Sequence, residues 1–96
     1  MKVRYSRRAS NDLASIHDYL SGCSPTGAAR VLTAIYAAIE FIRRNPHAAE
    51  KTNIPDVRVR TVRKYRFKVF YRMMEESAAI EVVHVRHTSR RPWQGE

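Results

Sequence analysis

The feature that most constrains the fold is the segment VRVRTVRKYRFKVFYR, residues 57–72, in which basic and apolar side chains alternate. Seven of its sixteen residues are Lys or Arg, and the Val, Phe and Tyr residues between them favour strands. A period of two places successive side chains on opposite faces of a β-strand. The segment therefore predicts a β-hairpin with a turn near Arg63 and Lys64.

The same alternation predicts one apolar and one basic face for this hairpin. The predicted apolar face holds Val57, Val59, Thr61, Phe67, Val69, Tyr71 and Met73. The predicted basic face holds Arg58, Arg60, Arg66, Lys68, Phe70 and Arg72. We expect the basic face to project away from the rest of the protein and to form a platform for a partner.

A strand and a first helix are predicted before the hairpin. Residues 3–5 alternate and indicate a short strand, and the Ser6 hydroxyl can cap the helix that follows. Gly22 is predicted to end this helix. Its apolar residues recur at spacings of four, three and four, which places them on one face: Ala9, Leu13, Ile16 and Leu20.

A second helix begins at Ser24 and Pro25, because proline costs no hydrogen bond at the first helical position. It is predicted to run to about Asn45, before Pro46. Its core stripe comprises Ala28, Val31, Leu32, Ile35, Ile39 and Ile42. The short connection between the two helices predicts an antiparallel helical hairpin.

Away from that stripe, Ala34, Ala37 and Phe41 lie on a face that is unusually apolar for a solvated helix. Between Arg30 and Glu40 the helix has no charge. Two interpretations are open: the hairpin packs closely on itself, or this face is a docking groove for a partner segment.

The rest of the chain completes an α+β fold. Residues 45–56 contain two prolines and no clear period, which predicts a loop, and AIEVVHVRH predicts a last strand. The predicted order is β-α-α-β-β-β, with the antiparallel helical hairpin on one face of a small, curved, mainly antiparallel sheet. Residues 1–96 are expected to form a single domain.

Charge and cysteine content limit the function. Eighteen Lys and Arg against nine Asp and Glu give a formal charge of +9, which favours a polyanionic or acidic partner. The single cysteine, Cys23, forms no internal disulfide and indicates a reducing compartment. Neither a signal peptide nor a membrane span is expected, so the expected location is the cytoplasm.

The sequence suggests no metal site or cofactor. His84 and His87 are three residues apart on a strand and should point to opposite faces. A metal-free ribonuclease is one interpretation, because RNA cleavage needs a base, an acid and cations near the phosphate. The candidate residues are Arg66, Lys68, Tyr71, Arg86 and His87. A basic binding surface without catalysis is the alternative.

The C-terminal segment TSRRPWQGE is predicted to be irregular. Its Trp93 follows Arg90 and Arg91, and tryptophan with arginine neighbours is typical of macromolecular interfaces. The alternative is that Trp93 folds back over the sheet.

The chain resembles the RelE/ParE superfamily of toxins from bacterial type II toxin-antitoxin systems. The resemblance covers nearly the whole chain and rests on ASNDLASIHDYL, SPTGAARVLTAIYAAIEFIRRNP, PDVRVRTVRKYRFKVFYRM and IEVVHVRHTSRRPW, in that order. It implies either a ribosome-dependent mRNA endonuclease, similar to RelE, or a poison of DNA gyrase, similar to ParE. Three segments look more like ParE than like RelE: the helix DLASIHDYL, the strand FKVFYR and the C-terminal ending VRHTSRRPW.

The RelE-like branch implies basic residues at several positions where this chain has others. Val59 and Thr61 fall where those nucleases have strand lysines, and Lys68 falls where they have an arginine. If the chain is RelE-like, the catalytic candidates are Arg66, Lys68, Arg86 and His87.

The ParE-like branch implies binding to DNA gyrase rather than catalysis by the toxin. The expected target-binding residues are Arg58, Arg60, Arg66, Arg72, Arg86, Arg90, Arg91 and Trp93. The resemblance also implies a cognate antitoxin, ParD-like, with a ribbon-helix-helix domain that makes the DNA contacts. We expect it to dock on Ala34, Ala37 and Phe41, in a complex with two copies of each protein as the default. Alternatives are a basic nucleic-acid-binding module without toxicity and a toxin-like protein that has lost activity.

Overall fold

The computed structural model of the protein describes residues 1–89. Its elements are β1 (Lys2–Tyr5), α1 (Arg7–Cys23), α2 (Pro25–Arg44), β2 (Glu50–Lys51), β3 (Val57–Val62), β4 (Phe67–Met74), a 3₁₀ turn (Glu75–Ser77) and β5 (Ala79–His87). The strands form one sheet in the order β1-β5-β4-β3-β2. Of the strand pairs in the described residues, only β1–β5 is parallel. The predicted α+β class and the helical hairpin on a mainly antiparallel sheet are confirmed.

Both predicted helix caps are present. The Ser6 hydroxyl accepts from the Ala9 backbone N–H at 3.0 Å, and the Ser24 hydroxyl accepts from the Gly27 N–H at 3.1 Å. Helix α1 does not end at Gly22 as predicted but includes it and ends at Cys23. Ser24 is the reason, because it ends α1 and also caps α2.

The core lies between the two helices and the middle of the sheet. Its fully buried side chains include Ile35 and Ile42 from α2, Val69 and Tyr71 from β4, and Ile80 from β5. The predicted helix-one stripe is confirmed, since Ala9 and Leu13 are buried and Ile16 and Leu20 pack against the core at its border. The Tyr71 hydroxyl donates to the Pro46 carbonyl at 2.6 Å and thereby fixes the chain after α2.

The assignment of the β3 side chains to faces was wrong. Val62 pairs with Phe67, so the turn contains the four residues 63–66 and even-numbered β3 residues oppose odd-numbered β4 residues. Arg58 therefore lies beside Tyr71 and Arg60 beside Val69, on the helix side of the sheet. Alternation alone separates two sets of side chains; the length of the turn decides which sets share a face.

The loop predicted at residues 45–56 contains a strand of two residues, β2, which pairs with Arg58 and Val59 at the sheet edge. Arg58 explains why the segment lies there, because its Nη1 donates to the His47 and Ala49 carbonyls at 3.1 and 2.9 Å. So short a strand has no periodicity to recognise. Neither helix in the described part of the chain has the length and apolar character needed to cross a membrane.

Candidate functional site: the open face of the sheet and the edge of β5

The sheet face opposite the helices, here called the open face, is defined by rows of neighbouring side chains across β3, β4 and β5. The rows are Thr61–Lys68–Arg86, Val59–Phe70–His84 and Val57–Arg72–Glu81. A β-bulge interrupts the pairing of β4 with β5 between Phe70 and Tyr71, where Val83 of β5 has no register partner. Odd-numbered β4 residues face the helices throughout, whereas the helix-facing residues of β5 change from even-numbered Ile80 and Val82 to odd-numbered Val85.

The candidate catalytic residues do not form one cluster. Lys68 and Arg86 are register partners on the open face, but His87 pairs with Phe67 on the helix side. The His87 and Phe67 rings meet edge to face, with centroids 5.3 Å apart, and His87 Nδ1 lies 2.7 Å from the Ser89 hydroxyl. Arg66 lies in the hairpin turn with φ of 60°. Tyr71 is buried in the core with its hydroxyl bound to Pro46.

The expected target-binding residues are divided between the two faces. Arg72 is on the open face, where its Nε donates to the Glu81 carboxylate at 2.8 Å, and Arg66 is exposed in the turn. Arg58 and Arg60 are on the helix side. Arg90, Arg91 and Trp93 lie outside the described residues.

A cluster around His84 was not anticipated from the sequence. Asp12 Oδ2 of α1 lies 2.6 Å from His84 Nδ1 and also accepts from the Val85 backbone N–H at 3.0 Å. Arg8 Nε lies 3.2 Å from the same His84 nitrogen. Since that nitrogen cannot donate to Asp12 and accept from Arg8 at once, the shorter contact assigns its proton to the Asp12 hydrogen bond.

The His84 ring stacks on Phe70, with centroids 5.8 Å apart, and the Arg86 guanidinium lies 5.7 Å from the Phe70 ring centroid. His84 and Arg86 are only 5% and 8% exposed although both lie on the open face. No sequence signal could have found this cluster, because Asp12 and His84 are 72 positions apart.

Burial lowers the pKa of His84 below the usual imidazole value of 6.5. The hydrogen bond and the charge of Asp12 oppose this shift, whereas the charges of Arg8 and Arg86 add to it. His84 is therefore neutral at pH 7, with its proton on Nδ1 and a lone pair on Nε2.

A pocket of about 560 Å³ lies at the edge of β5, where β1 has ended and α1 covers the strand. We call it the β5-edge pocket. Its lining residues are Arg8, Asp12, Ser15, Ile16, Tyr19, Leu20, Val31, Tyr65, Phe67, His84, Val85, Arg86 and His87.

The predicted docking face of α2 is accessible. Ala37 is exposed, and Ala34 and Phe41 are partly buried. The Arg60 guanidinium lies 3.8 Å from the centroid of the Phe41 ring, a cation–π contact that joins this face to β3. Within residues 1–89, no three His, Cys, Asp or Glu side chains are arranged to hold a metal ion.

Solved structures of bacterial toxins share this fold. A chain of the chromosomal ParDE toxin-antitoxin system from P. aeruginosa is 22% identical, with a TM-score of 0.78 and coverage of 93% of this chain and 97% of that one. The YoeB/ParE toxin from Agrobacterium tumefaciens is 18% identical, with a TM-score of 0.65 and coverage of 91% and 98%. The isolated E. coli RelE toxin is 14% identical, with a TM-score of 0.63 and coverage of 94% and 86%.

The fold therefore defines the chain as a RelE/ParE-like domain. Residues 3–92 match the family model described as the ParE toxin of the type II toxin-antitoxin system, parDE, so the chain belongs to the ParE toxin family. The predicted superfamily, on its ParE side, is confirmed. The chain has no significant match among curated protein sequences.

Proposed function

We propose that this ParE-family toxin inhibits growth by binding and poisoning DNA gyrase, and that a cognate antitoxin neutralises it by direct binding. The family match over residues 3–92 is the observation on which this proposal mainly rests. The open face favours binding over catalysis. Its Thr61–Lys68–Arg86 row offers cations, while His87, the candidate base, lies on the other side of the sheet.

We propose a target-binding surface that is narrower than the sequence suggested. Arg58 donates to two backbone carbonyls and Arg60 lies over Phe41, so both side chains have structural partners on the helix side. Arg66 and Arg72 remain accessible to a macromolecule. Together with Lys68 and Arg86, and with Arg90, Arg91 and Trp93 of the C-terminal segment, they form the proposed surface.

The proposed antitoxin site is the apolar face of α2 around Ala34, Ala37 and Phe41. An amphipathic helix can place its apolar residues in such a groove. A chain with a formal charge of +9 also suits an acidic partner.

The competing function is that of a ribosome-dependent nuclease, and the experiment below distinguishes it from gyrase poisoning.

Purified toxin should be given to its two possible targets in parallel, gyrase with relaxed plasmid and translating ribosomes with a defined mRNA. The proposal predicts that supercoiling is inhibited and that the mRNA stays intact. Cleavage of the mRNA with undisturbed supercoiling would mean that the target is the ribosome and not gyrase.

Arg72→Gln should weaken gyrase inhibition by about tenfold, as expected for loss of one charge-assisted contact. Arg44→Gln, an equal loss of charge at the exposed end of α2, is the matched control.

A further inference from the structure

The β5-edge pocket takes no part in the proposed binding of antitoxin through α2. Its volume of about 560 Å³ lies within the roughly 300–1,000 Å³ of small-molecule sites. It forms because β1 pairs only with Ala79–Val82, so that within residues 1–89 the following part of β5 has no strand neighbour on that side. Helix α1 closes the gap and provides one wall.

The polar part of the pocket favours an anion. Among residues 1–89, two arginines, Arg8 and Arg86, line it against one carboxylate, Asp12. That carboxylate already accepts from the Val85 N–H and the His84 ring, so much of its negative charge is compensated within the protein. The Ser15 hydroxyl also lines the pocket and can donate to a ligand oxygen.

The remaining wall is aromatic and aliphatic. Tyr19, Tyr65 and Phe67 line it, with Ile16 and Leu20 of α1 beside them. Tyr19 is 73% exposed, so one ring at the mouth of the pocket is accessible to a planar group. Aromatic side chains bind nucleobases by stacking, and arginines bind phosphates by paired hydrogen bonds.

We propose that the β5-edge pocket binds a nucleotide, with its phosphate near Arg8 and Arg86 and its base against Tyr19. A nucleotide contacts both the cationic end and the aromatic wall of the pocket. Inorganic phosphate would leave the aromatic wall without a contact, and an uncharged aromatic molecule would leave the arginines without one. A free nucleotide and the 5′ end of a nucleic-acid strand present the same phosphate chemistry to the pocket, and a further titration separates these two sources.

The test is an NMR titration of the full-length toxin with AMP, adenosine and inorganic phosphate. AMP should perturb the His84 ring signals and raise the pKa of His84, because a bound phosphate offsets the charges of Arg8 and Arg86. Adenosine and phosphate should each bind at least about tenfold more weakly, since each lacks one half of the contacts. Equal affinity for AMP and adenosine, or an unperturbed His84, would overturn the proposal.

Two pairs of variants test whether AMP binds in the pocket or is only attracted by the overall positive charge of the protein. Arg8→Gln should weaken AMP binding by about tenfold, whereas Arg7→Gln, its exposed neighbour outside the pocket lining, should not. Tyr19→Ala should weaken it as well, with Tyr36→Ala, another exposed tyrosine, as control. Equal losses in Arg7→Gln and Arg8→Gln would overturn the site.

A 5′-phosphorylated dinucleotide distinguishes the two sources of phosphate. Binding at least tenfold tighter than AMP would identify a strand end as the ligand, and equal binding would identify the free nucleotide. Arg86 belongs to both proposed sites, but Arg66 and Arg72 lie outside the pocket lining, and Arg8 and Tyr19 lie outside the proposed gyrase surface. Failure of this titration therefore leaves the gyrase proposal standing, and failure in the gyrase assay leaves the pocket standing.

Discussion

Asp12 joins helix α1 to the edge of β5 through two hydrogen bonds, one from the Val85 backbone and one from the His84 ring. Asp12→Asn should lower the free energy of unfolding by about 1–3 kcal/mol, because an amide cannot accept from both donors as strongly as a carboxylate. Urea denaturation at pH 7 measures the loss. Asp18→Asn, on an 83% exposed side chain of the same helix, should change stability little, and an equal effect of both variants would contradict this role.

His84 should make the stability of the toxin depend on pH. Its pKa is lowered in the folded state, chiefly by burial, so the unfolded chain binds the proton more readily. The stabilisation from a neutral His84 is therefore complete above the unfolded pKa of about 6.5 and is lost as pH falls through 6.5 toward the lower folded value. Denaturation between pH 7.5 and 5.5 should show this decrease in the native sequence.

His84→Gln should reduce that slope, whereas His17→Gln, at a site 58% exposed, should preserve it. A native protein more stable at pH 5.5 than at pH 7.5, relative to His84→Gln, would mean that the Asp12 ion pair outweighs burial.

At the scale of single elements, the residue that connects the 3₁₀ turn to β5, Ala78, has a strained backbone. Ala78 has φ of 49° and ψ of 47°, a left-handed conformation that costs a residue with a Cβ about 1–2 kcal/mol. Ala78→Gly should therefore stabilise the protein by about 0.5–1 kcal/mol after the greater entropy of glycine in the unfolded chain is subtracted. Thermal denaturation should show a higher Tm. Ala29→Gly, at an exposed position of helix α2, should instead lower the Tm. A lower Tm for both variants would contradict the backbone strain at Ala78.

Helix α2 provides the matched pair for antitoxin docking. Ala37→Glu places a charge on the proposed face, and Ala29→Glu places the same charge on another exposed position of the helix. Ala37→Glu should weaken antitoxin binding by at least about tenfold, since a buried unpaired charge costs more than 1.4 kcal/mol. Isothermal titration with the antitoxin measures both affinities. If Ala29→Glu weakens binding as much as Ala37→Glu, the docking site is elsewhere.

Elements with local signals were predictable from the sequence. Ser6 and Ser24 marked helix starts, and the last strand was predicted at residues 79–87, as observed. The face of β3 was not predictable, because the number of residues in the turn fixes it and alternation does not. Strand β2 depends on the reach of Arg58 to two carbonyls, a contact between residues about ten positions apart.

At the scale of the whole molecule, the family was predictable and the site was not. The order and spacing of the segments extend over the chain, and the family match over residues 3–92 confirms them. The positive charge was expected on one platform, but the structure divides it between the open face, the helix side of β3 and the edge of β5. The Asp12–His84 contact could not be read from the sequence, since only the folded chain brings α1 to β5.

We propose that this protein acts by binding gyrase. The most direct test is the yield of double-strand-cleaved plasmid trapped by gyrase in the presence of purified, folded toxin, with and without the cognate antitoxin. We predict that cleaved DNA accumulates with the amount of toxin and disappears when the antitoxin is added in equal amount. Unchanged supercoiling and no trapped cleavage, with toxin that still arrests growth in cells, would contradict the claim.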